Sequence, residues 1–418
     1  MIDSNKDSLK LQKSTMILYG FYKLLGSPLE ALFYLLAFIL YKDLNASSLQ
    51  ITLLVASKPA VALLSFYGSL LIKNKSSNLK LMILISTILG SSLCLAFPFV
   101  NNVWFIIFAH SLFMISLRAI IPAWSEIFRI NLNLESRGKV FSRGSIVNYS
   151  TNIIIPLCVS PMLDLFPGIW RWLFFSFAIL SLANIFILQK LKIYLKNSDD
   201  SQAYEFNSLK SIVLDPWKNS WKLISERSDF KHFQIVFMLC GAGLMIMQPV
   251  LPVFFKENLH LSYTQLTLAT SCCKGLGFAI TSPFWANKLN QIPITYFNFF
   301  VCFFAAIFCF LLINSQNTLI CLYMAYFMYG IMQAGSELSW NLSGPIFSKN
   351  HDSTLFTGIN VAAVGVRGCI APFLGQLLLL NTNSPTFVFA IGGILCFIAS
   401  GYSLRLYLNQ NPNPHLVN

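Results

Sequence analysis

Residues 49–72 read LQITLLVASKPAVALLSFYGSLLI, an apolar run interrupted at its centre by one charge, Lys58. About 20 apolar residues in a helix cross the roughly 30 Å hydrocarbon core of a bilayer. A lysine in the middle of such a helix costs about 2.5–3.5 kcal/mol unless it meets water or a partner. The pattern recurs in residues 261–286, where Lys274 interrupts a second apolar run. The two lysines are 216 residues apart (274 − 58 = 216), close to half of the 418-residue chain. The spacing predicts a duplicated membrane protein with a polar centre.

Composition agrees. The chain is 56% hydrophobic and 11% charged, with 38 phenylalanines, whereas soluble domains carry about 25% charge. The short alternating segments of a membrane β-barrel are absent. The net charge of +13 sits in a few short loops and does not predict a nucleic-acid partner. All ten cysteines fall inside apolar runs, with neither a CxxC pair nor a Cys/His metal spacing. They read as small buried side chains. The N-terminal stretch holds Lys6, Lys10 and Lys13, and no Ala-x-Ala site follows, so a cleaved signal peptide is not expected.

Hydropathy predicts twelve spans, at 16–41, 48–72, 79–99, 103–126, 140–163, 169–191, 231–256, 262–287, 291–313, 317–341, 354–380 and 385–408. The expected fold class is an all-α membrane protein, with twelve transmembrane helices in two parallel six-helix repeats around a central cavity. The expected domains are an N-terminal bundle at 1–191, a linker at 192–230 and a C-terminal bundle at 231–418. Within the linker, residues 197–202 read as flexible. The stretch around Trp217 and Trp221 reads as an amphipathic helix on the membrane surface. With the N-terminus inside, the inner segments carry twenty-one Lys and Arg, and the outer ones three (Lys42, Arg171 and Lys256). That bias predicts cytoplasmic termini and explains the basic balance. Further anchors repeat at nearly the same spacing: Trp124 with Trp340, Pro156 with Pro372, and Val140-Phe141-Ser142 with Leu355-Phe356-Thr357.

These features resemble the major facilitator superfamily of secondary transporters. The resemblance rests on twelve spans, six plus six, on a long central loop, and on the basic loop between spans two and three. In that loop Gly68-Ser69-Leu70-Leu71-Ile72-Lys73-Asn74-Lys75 stands where the family has Gly-x-x-x-Asp-Arg-x-Gly-Arg-Arg, with Ile72 in place of the acid. The Gly-rich signatures of proton-coupled drug antiporters are missing from spans four and five. Span eleven holds a loosely similar pattern, Gly365-Val366-Arg367-Gly368 through Pro372 to Gly375. The resemblance implies that spans 3, 6, 9 and 12 form an outer support and that the others surround the cavity.

Charges within spans are Lys23, Glu30, Lys58, Arg118, Lys274, Glu337 and Arg367, none of them in the cores of spans 3, 6, 9 or 12. Five cations against two acids give a surplus of three, which favours an anionic solute; arginine adds bidentate contacts to carboxylate or phosphate. Lys274, Arg367, Arg118 and Lys58 are therefore the expected solute contacts. Gln333, Asn148, Asn360 and Gln248 join them from the polar stripes of their helices. Glu30 and Glu337 are candidates for proton coupling, since a buried carboxylate can titrate near neutral pH. Glu126, Arg129 and Arg143, with Arg137, read as an inner gate.

Plainer readings stand beside these. Lys23 snorkels to the surface; Glu30 and Lys58 form a structural ion pair; Glu337 pairs with a loop cation; His110 is a satisfied interior histidine. Lys274 has no obvious acid in its own half. No phosphate-binding loop and no catalytic constellation is found, so neither an enzyme nor a cofactor is expected. The expected protein is a monomeric secondary transporter of the cell membrane, inner or plasma. It moves a small solute, an organic or phosphorylated anion, by alternating access, with a proton as the candidate coupling ion. Efflux of lipophilic compounds and a non-transporting sensor or scaffold of the same fold are the alternatives.

Overall fold

The computed structural model describes residues 2–72, 79–193, 209–289, 291–348 and 353–410. Lys73, Lys75, Lys349 and residues 197–202, used above, lie outside them.

Every described element is helical. In the first half run α1 (Ile2–Phe33), α2 (Leu36–Asp43), α3 (Ser48–Ile72), α4 (Leu79–Ser92), α5 (Val103–Asn131), α6 (Leu134–Leu165), α7 (Trp170–Leu182) and α8 (Asn184–Lys190). Then come α9 (Leu209–Glu226), α10 (Ser228–Met247), α11 (Leu251–Val253), α12 (Tyr263–Thr267), α13 (Lys274–Leu289), α14 (Ile294–Asn314), α15 (Leu319–Ser348), α16 (Thr354–Thr382) and α17 (Pro385–Gln410). A helix occupies each of the twelve expected places. Among the described residues nine are long and apolar enough to cross a membrane, and a tenth span forms if α1 and α2, bent by 41°, count as one. The other two places are held by α3, apolar over the shorter stretch Ser48–Leu63, and by α12–α13, joined through a π-helical turn at Leu268–Cys273.

The chain forms two compact units, Met1–Ala46 with Leu64–Phe206, and Ser47–Leu63 with Asn207–Asn418. The N-terminal part of α3, which carries Lys58, thus belongs to the second unit. There Thr52 Oγ1 lies 3.5 Å from Gln376 Oε1 of α16.

The halves repeat their local chemistry. After α2 the Ala46 N–H donates to the Leu40 carbonyl (3.0 Å), and Leu261 N–H donates to Phe255 (2.9 Å) in the second half. Between these bonds Asn45 and His260 both take φ of 49°. Such a left-handed residue closes a helix end by satisfying its last carbonyls. The next helices open with the same capping box. Ser47 N–H donates to Gln50 Oε1 (2.8 Å) and Gln50 N–H donates to Ser47 Oγ (3.3 Å). Ser262 and Gln265 do likewise (3.0 and 3.1 Å). Each box satisfies two of the N–H groups that a helix start leaves open. The repeated tryptophans also pack alike, Trp124 against Tyr22 (5.2 Å between centroids) and Trp340 against Phe237 (5.0 Å).

The stretch expected to lie on the membrane surface is helical, as α9. Its Leu223 and Ile224 pack on Phe230, Phe233, Phe347, Phe356 and Ile359, while Trp221 stays exposed.

Candidate functional site

The site grows from a close approach of two helices. A Cβ on Gly330 of α15 would overlap the carbonyl of Lys274, and one on Gly277 of α13 would overlap that of Phe327. Only glycine lets two backbones come so near. One turn beyond Gly330 lies Gln333 and a second turn beyond lies Glu337, on the same stripe of α15. Gln333 Nε2 donates to Glu337 Oε1 at 3.1 Å. Glu337 and Lys58 are the charged side chains whose fields act on the half-buried Lys274 ammonium. The second unit therefore gathers Lys58, Lys274, Gln333 and Glu337 from α3, α13 and α15. Their formal charges sum to one positive.

This corrects the expectation that Lys274 has no acid in its half. Glu337 is distant in sequence and adjacent in space, because α13 and α15 touch at their glycines. The two lysines paired by their spacing of 216 residues also lie within electrostatic reach of each other.

In the first unit, Glu30 of α1 and Tyr34 act on Arg118 of α5, so the acid of α1 faces an arginine across its own bundle. Lys23 and Glu30 line a small cavity of about 40 Å³ with Ser27, Ser86, Thr87 and Ser116. The Lys23 ammonium sits 6.0 Å from the Tyr19 ring. Asn148 accepts from Ser27 Oγ at 2.8 Å, a bond that ties α6 to α1. His110 is buried with its ring 5.2 Å from that of Phe33.

Three residues stand apart from the cluster. Asn360, 1% exposed, accepts from Gln234 Nε2 and donates to Ser343 Oγ, which links α10, α15 and α16 and leaves the buried Gln234 Oε1 without a partner among the described residues. Arg367, 8% exposed, lies under α10: its Nη1 donates to the Phe237 carbonyl (2.6 Å) and its Nε to Met245 Sδ (3.3 Å). Gln248 follows the last residue of α10, in the turn at Pro249. It shares with Arg367 a cavity of about 170 Å³.

Of the residues expected at an inner gate, Glu126 and Arg129 form a local pair. Arg129 Nε and Nη2 donate to Glu126 Oε2 and Oε1 (2.8 and 2.6 Å) on successive turns of α5. Arg137 caps the carbonyls of Leu132 and Arg129 (both 3.1 Å). Arg143 is exposed and joins none of these bonds.

Sequence reading missed Gln234, Phe237, Gly241, Ser336 and Tyr329. Gln234 sits one helical turn before the aromatic that carries Arg367, a signal visible only once α10 and α16 are known to be neighbours.

Apolar helices in two repeats with charged side chains gathered inside them define a multi-pass membrane protein of the solute-transporter type. The chain belongs to the Major Facilitator Superfamily, whose sequence model matches residues 24–353. Solved structures of transporters share the fold. A variant of the nucleoside transporter NupG matches at a TM-score of 0.67 and 16% identity, covering 96% of this chain and 98% of that one. A variant of the peptide transporter POT matches at 0.70 and 12%, covering 98% and 99%. A POT family transporter in complex with 5-aminolevulinic acid matches at 0.70 and 12%, covering 96% of each. No match was found among curated protein sequences.

Proposed function

We propose that this protein is a secondary active transporter that moves a small organic or phosphorylated anion by alternating access, with Lys58 and Lys274 as its principal solute contacts. The supporting observation is that Lys58 and Glu337 both act electrostatically on the Lys274 ammonium, while Gln333 donates to Glu337. An anion entering between the lysines takes over the neutralising role of Glu337. The carboxylate, no longer compensated, then gains from protonation, because desolvation disfavours an uncompensated charge. Solute binding and proton uptake are thereby coupled, and Gln333, as a donor to Glu337 Oε1, holds the carboxylate in place. Glu30 beside Arg118 is the corresponding acid–cation pair of the first unit. The Glu126–Arg129 pair serves the inner gate.

Alternating access by rocking of two repeats about a site near the bilayer midplane suits this family fold. The Lys and Arg bias supports cytoplasmic termini and residence in the cell membrane. The proposed acting unit is a monomer. The test is uptake into proteoliposomes of a panel of radiolabelled carboxylates, phosphate esters, organic cations and neutral solutes, with and without an inward proton gradient. Uptake of at least one anion that rises with the gradient and falls tenfold or more in Lys274→Ala supports the reading. Uptake confined to cations or neutral solutes overturns it.

A further inference from the structure

We propose that the second unit holds a separate binding site for a small monocarboxylate, built on Arg367 inside the cavity enclosed by α10, α14, α15 and α16. Its walls include Phe237, Gly241, Gln248, Asn298, Tyr329 and Ser336, and it shares no lining residue with the lysine cluster.

Arg367 reaches this place because α10 gives way. A Cβ on Gly241 would overlap its guanidinium, so glycine at that position is what lets the group lie flat against α10. The ring of Phe237 takes up one face, with the guanidinium carbon 4.7 Å from the centroid. A guanidinium has five N–H donors. Two are used, Nη1 on the Phe237 carbonyl and Nε on Met245 Sδ. Three remain, one on Nη1 and two on Nη2, and no carboxylate of the described residues lies against them. A cation more than nine-tenths buried with three open donors is costly unless something pairs with it. Nη1 and Nη2 together present the fork that matches a carboxylate.

The remaining walls point to the rest of the ligand. The Gln248 amide and the Tyr329 and Ser336 hydroxyls line the cavity without a hydrogen-bond partner among the described residues. Asn298 uses its carbonyl on Ser339 Oγ (2.7 Å), which leaves its amide N–H groups open. Val236, Leu244, Val301 and Met332 supply apolar wall. A cavity of about 170 Å³ holds on the order of ten water-sized groups at roughly 15 Å³ each. One guanidinium balances one negative charge, so a monoanion fits better than a phosphate dianion. The ligand class is a monocarboxylate of about ten heavy atoms with an apolar body. Tyr329 lies within electrostatic reach of Glu337, so the site borders the lysine cluster.

The test is equilibrium binding of radiolabelled benzoate to the full chain in nanodiscs. Wild type is expected to bind saturably, with no displacement by neutral benzamide. Arg367→Gln should weaken binding tenfold or more. Ser336→Leu fills the cavity, leaves the guanidinium in place and should do the same, which guards against a misfolded arginine variant. Lys274→Ala should stay within threefold of wild type, even where it abolishes anion uptake. The proposal is overturned by absence of saturable binding, by displacement with benzamide, by Arg367→Gln and Ser336→Leu both binding like wild type, or by Lys274→Ala weakening binding as much as Arg367→Gln. A failure of the transport reading leaves these outcomes unchanged, so the two ideas fail separately.

Discussion

Asn45 and His260 stand at equivalent places in the two halves and share a left-handed backbone at φ of 49°. Each follows the last turn of the first span in its half and precedes a Ser–Gln capping box. Glycine adopts this conformation without cost, and asparagine more readily than most side chains. Substituting His260→Gly should therefore stabilise the protein, by about 1 kcal/mol or less once the greater freedom of an unfolded glycine is counted. Thermal unfolding of the purified protein measures it. A fall in Tm would mean that the His260 side chain, not its backbone, is what matters there.

The capping boxes predict matched losses. Ser47→Ala and Ser262→Ala should each cost about 0.5–2 kcal/mol, the usual effect of losing a side-chain N-cap. Hydrogen exchange at the first amides of α3 and α12 reads it locally. Equal acceleration at both ends is expected. Acceleration at one only would show that the repeat kept the shape of this turn and lost its energetics.

Gly330 is where α15 touches the backbone of Lys274. Gly330→Ala forces the two helices apart, and overpacking of this kind costs typically about 1–3 kcal/mol. Lys274 also moves away from Glu337. Both a lower Tm and weaker anion uptake are expected from this single methyl group. An unchanged Tm would contradict the close approach.

The network at Asn360 predicts the opposite pattern. Gln234→Leu removes a donor to a buried carbonyl, and an unsatisfied buried group costs about 1–3 kcal/mol. Stability should fall while the KM for solute stays within twofold, because Asn360 is occupied by Gln234 and Ser343. A KM that rises tenfold with normal stability would return Asn360 to the solute path.

Much of this architecture was legible in the chain, for identifiable reasons. Hydropathy marks a span wherever about twenty apolar residues run together, and the two central lysines revealed the repeat through their spacing. The broken places were harder. The π-helical turn at Leu268–Cys273 and the bend between α1 and α2 leave apolarity unchanged while altering helix geometry. Partners were harder still. Lys274 and Glu337 meet through glycines whose role depends on which helices are neighbours. Arg367 reads as a cavity charge from its helix, yet its aromatic and sulfur partners come from α10. Asn360 reads as a solute contact on its stripe, and only the packing of α10 and α15 shows it engaged. Periodicity gives the face of a helix; it does not say what the face meets.

The most direct measurement follows solute-driven proton entry into proteoliposomes loaded with a pH-sensitive dye. It compares wild type, Lys274→Ala and Glu337→Gln on the anion that wild type takes up. Wild type should acidify on addition of the anion. Lys274→Ala should lose acidification and uptake together, by tenfold or more, equivalent to about 1.4 kcal/mol or more. Glu337→Gln should exchange the anion down its gradient and acidify nothing. Acidification at the wild-type rate in both variants would contradict the role given to the lysine–glutamate cluster.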